Sequence, residues 1–488
     1  MKRGCGILLS IFSLPGRFGI GTLGEGARKF VDLLQTGGQT YWQILPISPT
    51  GYGDSPYQSF STFAGNPYFI DFDDLYQEGL LPRDALDLSD GFFGSDPGAV
   101  DYGLQYVNKE KILHLAYQYS AARLTEALKE FQQKHAGWIH DYALYMALKN
   151  SQGMRSFHDW PDDLRMRQGD ALKNAAVQLK EEISYHVFVQ YLFFRQWAAF
   201  KKHANEKGIS IIGDVPIYMA PDSADAWMGR ETLDKQERLA GCPPDYFSST
   251  GQLWGNPLYD WEEMKKTGYD WWIRRIAHQI SLYDYLRIDH FRGFEAYYAV
   301  PAKAQNALNG QWLPGPGWDF FRMLKEKLGD LPLIAEDLGY LTPEVFDLLK
   351  ATGFPGLKVL HFAFSPDGSS IYLPHRYERN CIVYTGTHDN DTTIGWYNGL
   401  GAAERAFLNA YLDGTDETKV HWQLIRLAMG SVADVCMIPM QDLLGLPSSA
   451  RMNKPQSSQG NWRWRLLPDQ FNDEIVRRLA DLTRLFGR

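Results

Sequence analysis

Two hydrophobic rhythms take turns along this chain. The run Gly6-Ile7-Leu8-Leu9-Ser10-Ile11-Phe12 is continuously apolar and short, the signature of a strand buried on both faces. Ala27, Phe30, Val31 and Leu34 then fall at i, i+3, i+4 and i+7, and Gly37-Gly38 closes that helical stripe. Thr40-Tyr41-Trp42-Gln43-Ile44-Leu45-Pro46-Ile47 is a second apolar strand. Strand, helix, strand is the unit of a parallel sheet. The alternation returns downstream with strands at Ile209 to Val215, from Asp284, at Leu333-Ile334-Ala335-Glu336, at Gly356 to Phe362, at Cys381 to Tyr384 and at Val435 to Pro439.

Between these units the rhythm breaks. Gly51 to Gln58 is dense in turn residues and reads as a loop, and Pro67-Tyr68-Phe69-Ile70-Asp71-Phe72 reads as a further strand. Residues 74–185 carry charged segments with helical spacing, such as Ala121 to Gln133 and Asp141 to Asn150; they predict a mostly helical insertion rather than a second domain. Helix continues through Tyr185 to Ala204, and residues 220–261 form a long loop region. After Glu336, Thr342 suits an N-cap and Pro343 the first helical position. Val345, Leu348 and Leu349 supply the apolar face of that helix, and Gly353 stops it. A last helix carries Ile475, Leu479, Leu482 and Phe486 on one stripe. No internal repeat or low-complexity linker divides residues 1–488. The expected architecture is one α/β unit, a (β/α)8 barrel of the TIM type with a largely helical insertion and long loops at the C-terminal rim of its strands.

Composition narrows the function. A formal charge of −9 with signs mixed along the chain argues against nucleic acid or an anionic membrane as partner. Lys2-Arg3 before an apolar run imitates a signal peptide. No small-residue cleavage site follows, and Pro15-Gly16-Arg17 ends the run, so the segment reads as the first buried strand. Cys5, Cys242, Cys381 and Cys436 are too scattered for a metal or redox motif and fit a reducing, cytoplasmic compartment. Aromatic residues make up 14% of the chain, and many adjoin Gly, Pro and Asp in loop-like segments, an arrangement suited to flat ligands such as sugar rings.

The chemistry gathers at strand ends. Arg287 and Asp289 lie two apart on one face of a strand, where the cation can orient the carboxylate and favour its charge. His290 points to the other face and is expected to pack. Acids at Asp214, Asp289, Glu336 and Asp389 all occupy strand-to-loop junctions, and a closed parallel barrel brings such junctions to one rim. Several rim carboxylates, with Arg287, His290 and His388 among them, suit either a metal site or glycosyl chemistry, in which one carboxylate attacks and another protonates the leaving oxygen. Asp389-Asn390-Asp391 lacks the rest of a calcium loop, which leaves glycosyl chemistry the better match.

At this point the chain resembles a known family, the amylomaltases or disproportionating enzymes, 4-α-glucanotransferases of the α-amylase clan. The stretches that carry the resemblance begin with Ile44-Leu45-Pro46, Gly53-Asp54-Ser55-Pro56-Tyr57-Gln58 and Gly213-Asp214-Val215-Pro216-Ile217-Tyr218. Pro243-Pro244-Asp245-Tyr246-Phe247-Ser248, Gly251-Gln252-Leu253-Trp254-Gly255-Asn256-Pro257 and Arg287-Ile288-Asp289-His290-Phe291-Arg292-Gly293 follow. Ala335-Glu336-Asp337-Leu338-Gly339, Gly386-Thr387-His388-Asp389-Asn390-Asp391 and Arg451-Met452-Asn453 complete the set. Gln456 stands where the family usually has glycine.

The resemblance implies Asp289 as nucleophile, Glu336 as general acid and then base, and Asp389 as the group that holds the distorted sugar. It implies that Arg287 and His388 support the nucleophile and that sugar, that Asp214 is structural or sugar-binding, and that Tyr57, Tyr246, Phe247, Trp254 and Asn453 contact the glucan. Maltooligosaccharides and α-1,4-glucans are the expected partners, with no cofactor and no metal. An α-glucan hydrolase of the same clan and a non-catalytic glucan-binding protein are the alternatives. For these roles Glu336 has to hold a proton at neutral pH, and the charge of Asp289 is the expected cause.

Overall fold

Eight parallel strands follow one another around a single sheet in chain order. They are β1 (Gly4–Leu8), β2 (Tyr41–Gln43), β3 (Ser210–Val215), β4 (Tyr285–Ile288), β5 (Leu333–Ala335), β6 (Gly356–Val359), β7 (Cys381–Tyr384) and β8 (Val435–Pro439). β1 pairs with β8 from Gly4 opposite Val435 to Leu8 opposite Pro439, so the first and last strands join. At the remaining seam, between β5 and β6, the Ala335 amide donates to the Pro355 carbonyl at 3.0 Å. The Leu357 amide donates to the Asp337 carboxylate at 2.6 Å. The barrel is therefore nearly closed, with these two amide bonds bridging its last seam. This computed structural model describes every residue except Tyr52, Asp90, Asp245, Tyr246, Phe247, Gln456 and Ser458.

The helical stripe after β1 does what its spacing demands. In helix Glu25–Thr36 the buried residues are Ala27, Phe30, Val31 and Leu34. The Phe30 ring meets Trp42 edge-on at 4.7 Å, and Phe200, from helix Lys180–Glu206, meets the other side of Trp42 at 5.6 Å. Trp42 is thereby fully enclosed between the sheet and its outer helices. The helix after Glu336 spans Pro343–Thr352, with Thr342 at the N-cap position and Gly353 at φ 71° ending it. The Thr342 side chain makes no capping hydrogen bond, so proline and the glycine stop carry that boundary. The inner face of the final helix, Asp473–Leu485, is Val476, Leu479 and Thr483, while Ile475, Leu482 and Phe486 flank it half-buried.

Two stretches differ from the sequence reading. Pro67–Phe69 is a 3-10 turn and Phe72–Gln77 a helix, not a strand. Asn66 and Asp71 each accept a backbone amide as N-caps, and these local bonds outweigh the apolar alternation between them. The long loops after β3 and β4 are also structured. Gln252–Pro257, Leu239–Cys242, Ala296–Val300 and Gln311–Pro314 form, in that order, a separate four-stranded antiparallel sheet above the rim. Arg292 clamps it to the barrel, its guanidinium 3.6 Å above the Trp312 ring. The stretch from 102 onward carries helices Tyr102–Ser120, Thr125–Lys134 and Ile139–Ser151, which lead into Lys180–Glu206. No helix among the described residues is long and apolar enough to cross a membrane.

Gly213 lets β3 lie directly on the buried Tyr283 ring, since a Cβ built there falls 2.2 Å from a ring carbon. Gly213→Ala is expected to cost about 1–3 kcal/mol of stability through overpacking. Urea unfolding of the variant beside the parent measures it, and superimposable curves would contradict this packing.

Candidate active site

Strand register builds the centre of the site. β3 and β4 pair so that Asp214 lies opposite Arg287. Neighbouring residues in register on parallel strands face the same way, so the two side chains meet inside the barrel mouth. Nη1 of Arg287 donates to both Asp214 oxygens, at 2.8 and 2.7 Å. The same nitrogen lies 2.9 Å from Oδ1 of Asp289. The Arg287 side chain is 4% exposed, that of Asp214 is fully enclosed and that of Asp289 is 28% exposed, so one buried cation presents the more open carboxylate to the cleft. Burial raises the Asp214 carboxyl and the guanidinium opposes it; burial pulls Arg287 down, but the acids around it outweigh that and hold the cation well above its usual value.

The strand itself ends at Ile288, and the backbone turns left-handed at His290, with φ 54° and ψ 50°. The two-residue alternation therefore stops before His290. That turn aims the His290 amide at Oε2 of Glu336, 2.7 Å away. The Leu338 amide reaches Oε1 of Glu336 at 3.2 Å. Glu336 directly follows β5, the neighbour of β4, and its own amide donates to the Ile288 carbonyl at 3.0 Å. Its carboxyl is pushed up to about 8. Desolvation is the largest cause; Arg287 pulls the value down and the charge of Asp289 pushes it up. Burial, ahead of the like charge of Asp289 expected from the sequence, is thus what keeps the proton on Glu336.

A second line of contacts joins the other rim residues. Tyr57 sits on a narrow turn closed by the Gly51 amide bonding the Gln58 carbonyl at 2.9 Å. Its hydroxyl donates to Oδ2 of Asp214 at 2.8 Å and lies 2.9 Å from Nε2 of His388. Because that hydroxyl has one proton, already given to Asp214, it accepts from His388, which fixes the hydrogen on Nε2. Nε2 of His388 is also 3.4 Å from Oδ2 of Asp389. The Asn453 amide group donates to Oδ1 of Asp389 at 2.6 Å, and Arg451 donates to the Asp389 carbonyl at 2.6 Å. Asp389 keeps 43% of its side chain open to the cleft.

Asp214, Arg287, Asp289, Tyr57, His388, Asp389 and Asn453 thus form one connected set, and Glu336 stands beside it on the next strand. Trp254 reaches the same region through His290, the two rings perpendicular at 4.9 Å. Burial lowers His290 to about 4, so it stands there as a neutral packing ring. Tyr246 and Phe247 lie outside the described residues, as does Gln456.

Trp462 was missed by sequence reasoning. It is buried in a left-handed conformation at φ 63°, with its ring 5.7 Å from Tyr57 and 6.0 Å from His388. The only local signal was the aromatic pair Trp462-Arg463-Trp464 beyond the last strand.

Comparison with known proteins agrees with this geometry. A family model described as 4-alpha-glucanotransferase matches residues 9–470. The 4-alpha-glucanotransferase of Clostridium butyricum is 47% identical over 98% of this chain and 100% of its own length. That of Thermus thermophilus is 47% identical over 100% and 99%. Among solved structures, the amylomaltase from Streptococcus agalactiae in complex with acarbose superposes with a TM-score of 0.97 at 42% identity, each chain covered in full. The Corynebacterium glutamicum amylomaltase, with a TM-score of 0.81 at 20% identity over 99% of this chain and 75% of that one, shares the fold.

A carboxyl raised from 4.5 in the unfolded chain to about 8 in the folded one has a definite sign in stability. As pH climbs through that window the unfolded chain releases the proton and the folded one retains it, so stability falls. Glu336→Gln should match the parent near about pH 4 and exceed it by roughly 2–4 kcal/mol near about pH 9. Denaturation curves of both proteins across pH test this, and a constant difference would refute it.

Proposed function

The chain belongs to the 4-alpha-glucanotransferase family and is an enzyme of that activity, and we propose that it works by a retaining double displacement through a glycosyl ester on Asp289. The observation that carries this reading is the pairing of unlike carboxyls on neighbouring strands. Asp289 is braced by Arg287 at 2.9 Å. Glu336 is held protonated at neutral pH by its burial.

In the first step an Asp289 oxygen attacks the anomeric carbon of an α-1,4-linked unit. The bond to the departing 4-oxygen breaks, and that oxygen takes the Glu336 proton. Ester formation removes the charge of Asp289, one of the contributions that raise Glu336, so the same carboxyl becomes better able to act as base. In the second step Glu336 accepts the proton of an acceptor 4-hydroxyl as that oxygen attacks the anomeric carbon. The ester bond breaks and the Asp289 carboxylate is restored. Two inversions leave the α configuration unchanged.

Asp389, half open and aimed by Asn453 and His388, is placed to hold hydroxyls of the sugar under attack. That the S. agalactiae amylomaltase was solved in complex with acarbose supports a glucan as the substrate of this chain. Transfer outcompetes hydrolysis when a bound acceptor has a high effective concentration and water is held off. Trp254, whose ring meets His290 beside Glu336, is our candidate for that cover.

Maltotriose alone should give glucose and a ladder of longer oligosaccharides, with total reducing ends nearly constant. Asp289→Asn should lower turnover by at least about a thousandfold, as loss of a covalent nucleophile does. A steady rise in reducing ends, or an active Asp289→Asn enzyme, would overturn the assignment. The kcat/KM profile should fall on its alkaline side with a midpoint near about 8, where Glu336 in the free enzyme loses its proton. A profile flat well past that point would remove Glu336 as the acid.

A further inference from the structure

Far along the chain from the rim acids, two long helices each carry a glutamate and a histidine four residues apart. Glu110 and His114 lie on Tyr102–Ser120, and Glu182 and His186 lie on Lys180–Glu206. Residues four apart share one helix face. The two faces meet here, with the Tyr117 ring edge-on to Tyr185 at 5.8 Å and to Phe188 at 5.4 Å. A ring nitrogen of His114 and one carboxylate oxygen from each of Glu110 and Glu182 lie within 4.8 Å of one another. Those three residues also line a common surface pocket. We propose that Glu110, His114 and Glu182 bind a divalent first-row transition metal that ties these two helices together.

The surroundings are those of a prepared ligand set. Nδ1 of His114 is 3.0 Å from the Glu110 carbonyl, which can only accept. Nδ1 therefore carries the hydrogen, and Nε2 keeps the lone pair that a metal needs. Stacking on Tyr185, with centroids 3.7 Å apart, fixes the ring plane. Oε1 of Glu182 accepts from Asn150 at 2.7 Å and lies 3.3 Å from Nε2 of His186, so this carboxylate is held in orientation from its own helix and from its neighbour. Among the described residues, neither Glu110 nor Glu182 has a lysine or arginine partner within ion-pair distance, which leaves two carboxylates facing one imidazole without a fixed cation. One imidazole with two carboxylates and room for water suits Zn²⁺, Co²⁺ or Ni²⁺ better than Mg²⁺ or Ca²⁺, which prefer all-oxygen shells.

Zn²⁺ and Co²⁺ titrations of the full-length protein test the proposal, by calorimetry and by the visible spectrum of the cobalt form. The expected result is one ion per chain, a cobalt spectrum free of thiolate charge-transfer bands, and a higher thermal midpoint with metal. His114→Ala and Glu110→Gln should each weaken binding at least ~10-fold and abolish the thermal shift, and His186→Ala should weaken binding ~10-fold through the Glu182 carboxylate. Glucan transfer in all three variants, and the metal-free midpoint of Glu110→Gln, should stay at parental values. Parental affinity in both His114→Ala and Glu110→Gln, thiolate bands in the cobalt spectrum, or no stoichiometric uptake would overturn it.

Discussion

One guanidinium sets the terms for the rim of this barrel. Arg287 is enclosed, yet a single nitrogen of its side chain serves both oxygens of Asp214 and one of Asp289. A charge in that position is tolerable only while its counter-charges are in place. Breaking a buried pair by removing one partner typically costs about 3–5 kcal/mol. Arg287 and its two acids therefore behave as a unit, which ties the position of the proposed nucleophile to the β3–β4 register. A one-residue slip of β4 would turn Arg287 out of the barrel mouth and dissolve the arrangement.

The same economy separates the two carboxyls of the proposed chemistry. Asp289 has the cation and partial access to water; Glu336 has two backbone amides and little water. Desolvation falls on the one that lacks the direct ion pair, so the proton stays there. The left-handed turn at His290 links them, because it carries the chain away from β4 while aiming its amide at Glu336. A strained residue type in that conformation at a strand end is a recurring feature of functional sites. The rim beyond is assembled from afar: Tyr57 from the loop after β2, Asn453 and Trp462 from the segment after β8, all converging on Asp214, His388 and Asp389.

Much of this is legible in the amino-acid sequence. The helix with Ala27, Phe30, Val31 and Leu34 buries those four side chains, because a 3.6-residue period leaves an apolar stripe one place to go. The barrel strands read clearly because strands covered on both faces are continuous apolar runs. Pro67–Phe72 failed because short capping bonds from Asn66 and Asp71 decide a segment too brief for periodicity to govern. The antiparallel sheet over the rim was invisible because its central pairing, Leu239–Cys242 with Ala296–Val300, joins two different loops, and no local pattern reports such pairing. Trp462 escaped for a related reason: its partners Tyr57 and His388 are remote in sequence.

What the amino-acid sequence determined alone was therefore local and chemical. It placed acids, an arginine and a histidine at the ends of apolar strands, and its motifs carried the resemblance to a family. The tertiary structure alone decided which carboxyl keeps its proton and which tautomer His388 adopts. It also decided whether two glutamate–histidine faces of the helical region meet. Burial and through-space contact settle those questions, and neither exists until closure of the barrel brings distant segments together and removes the water between them.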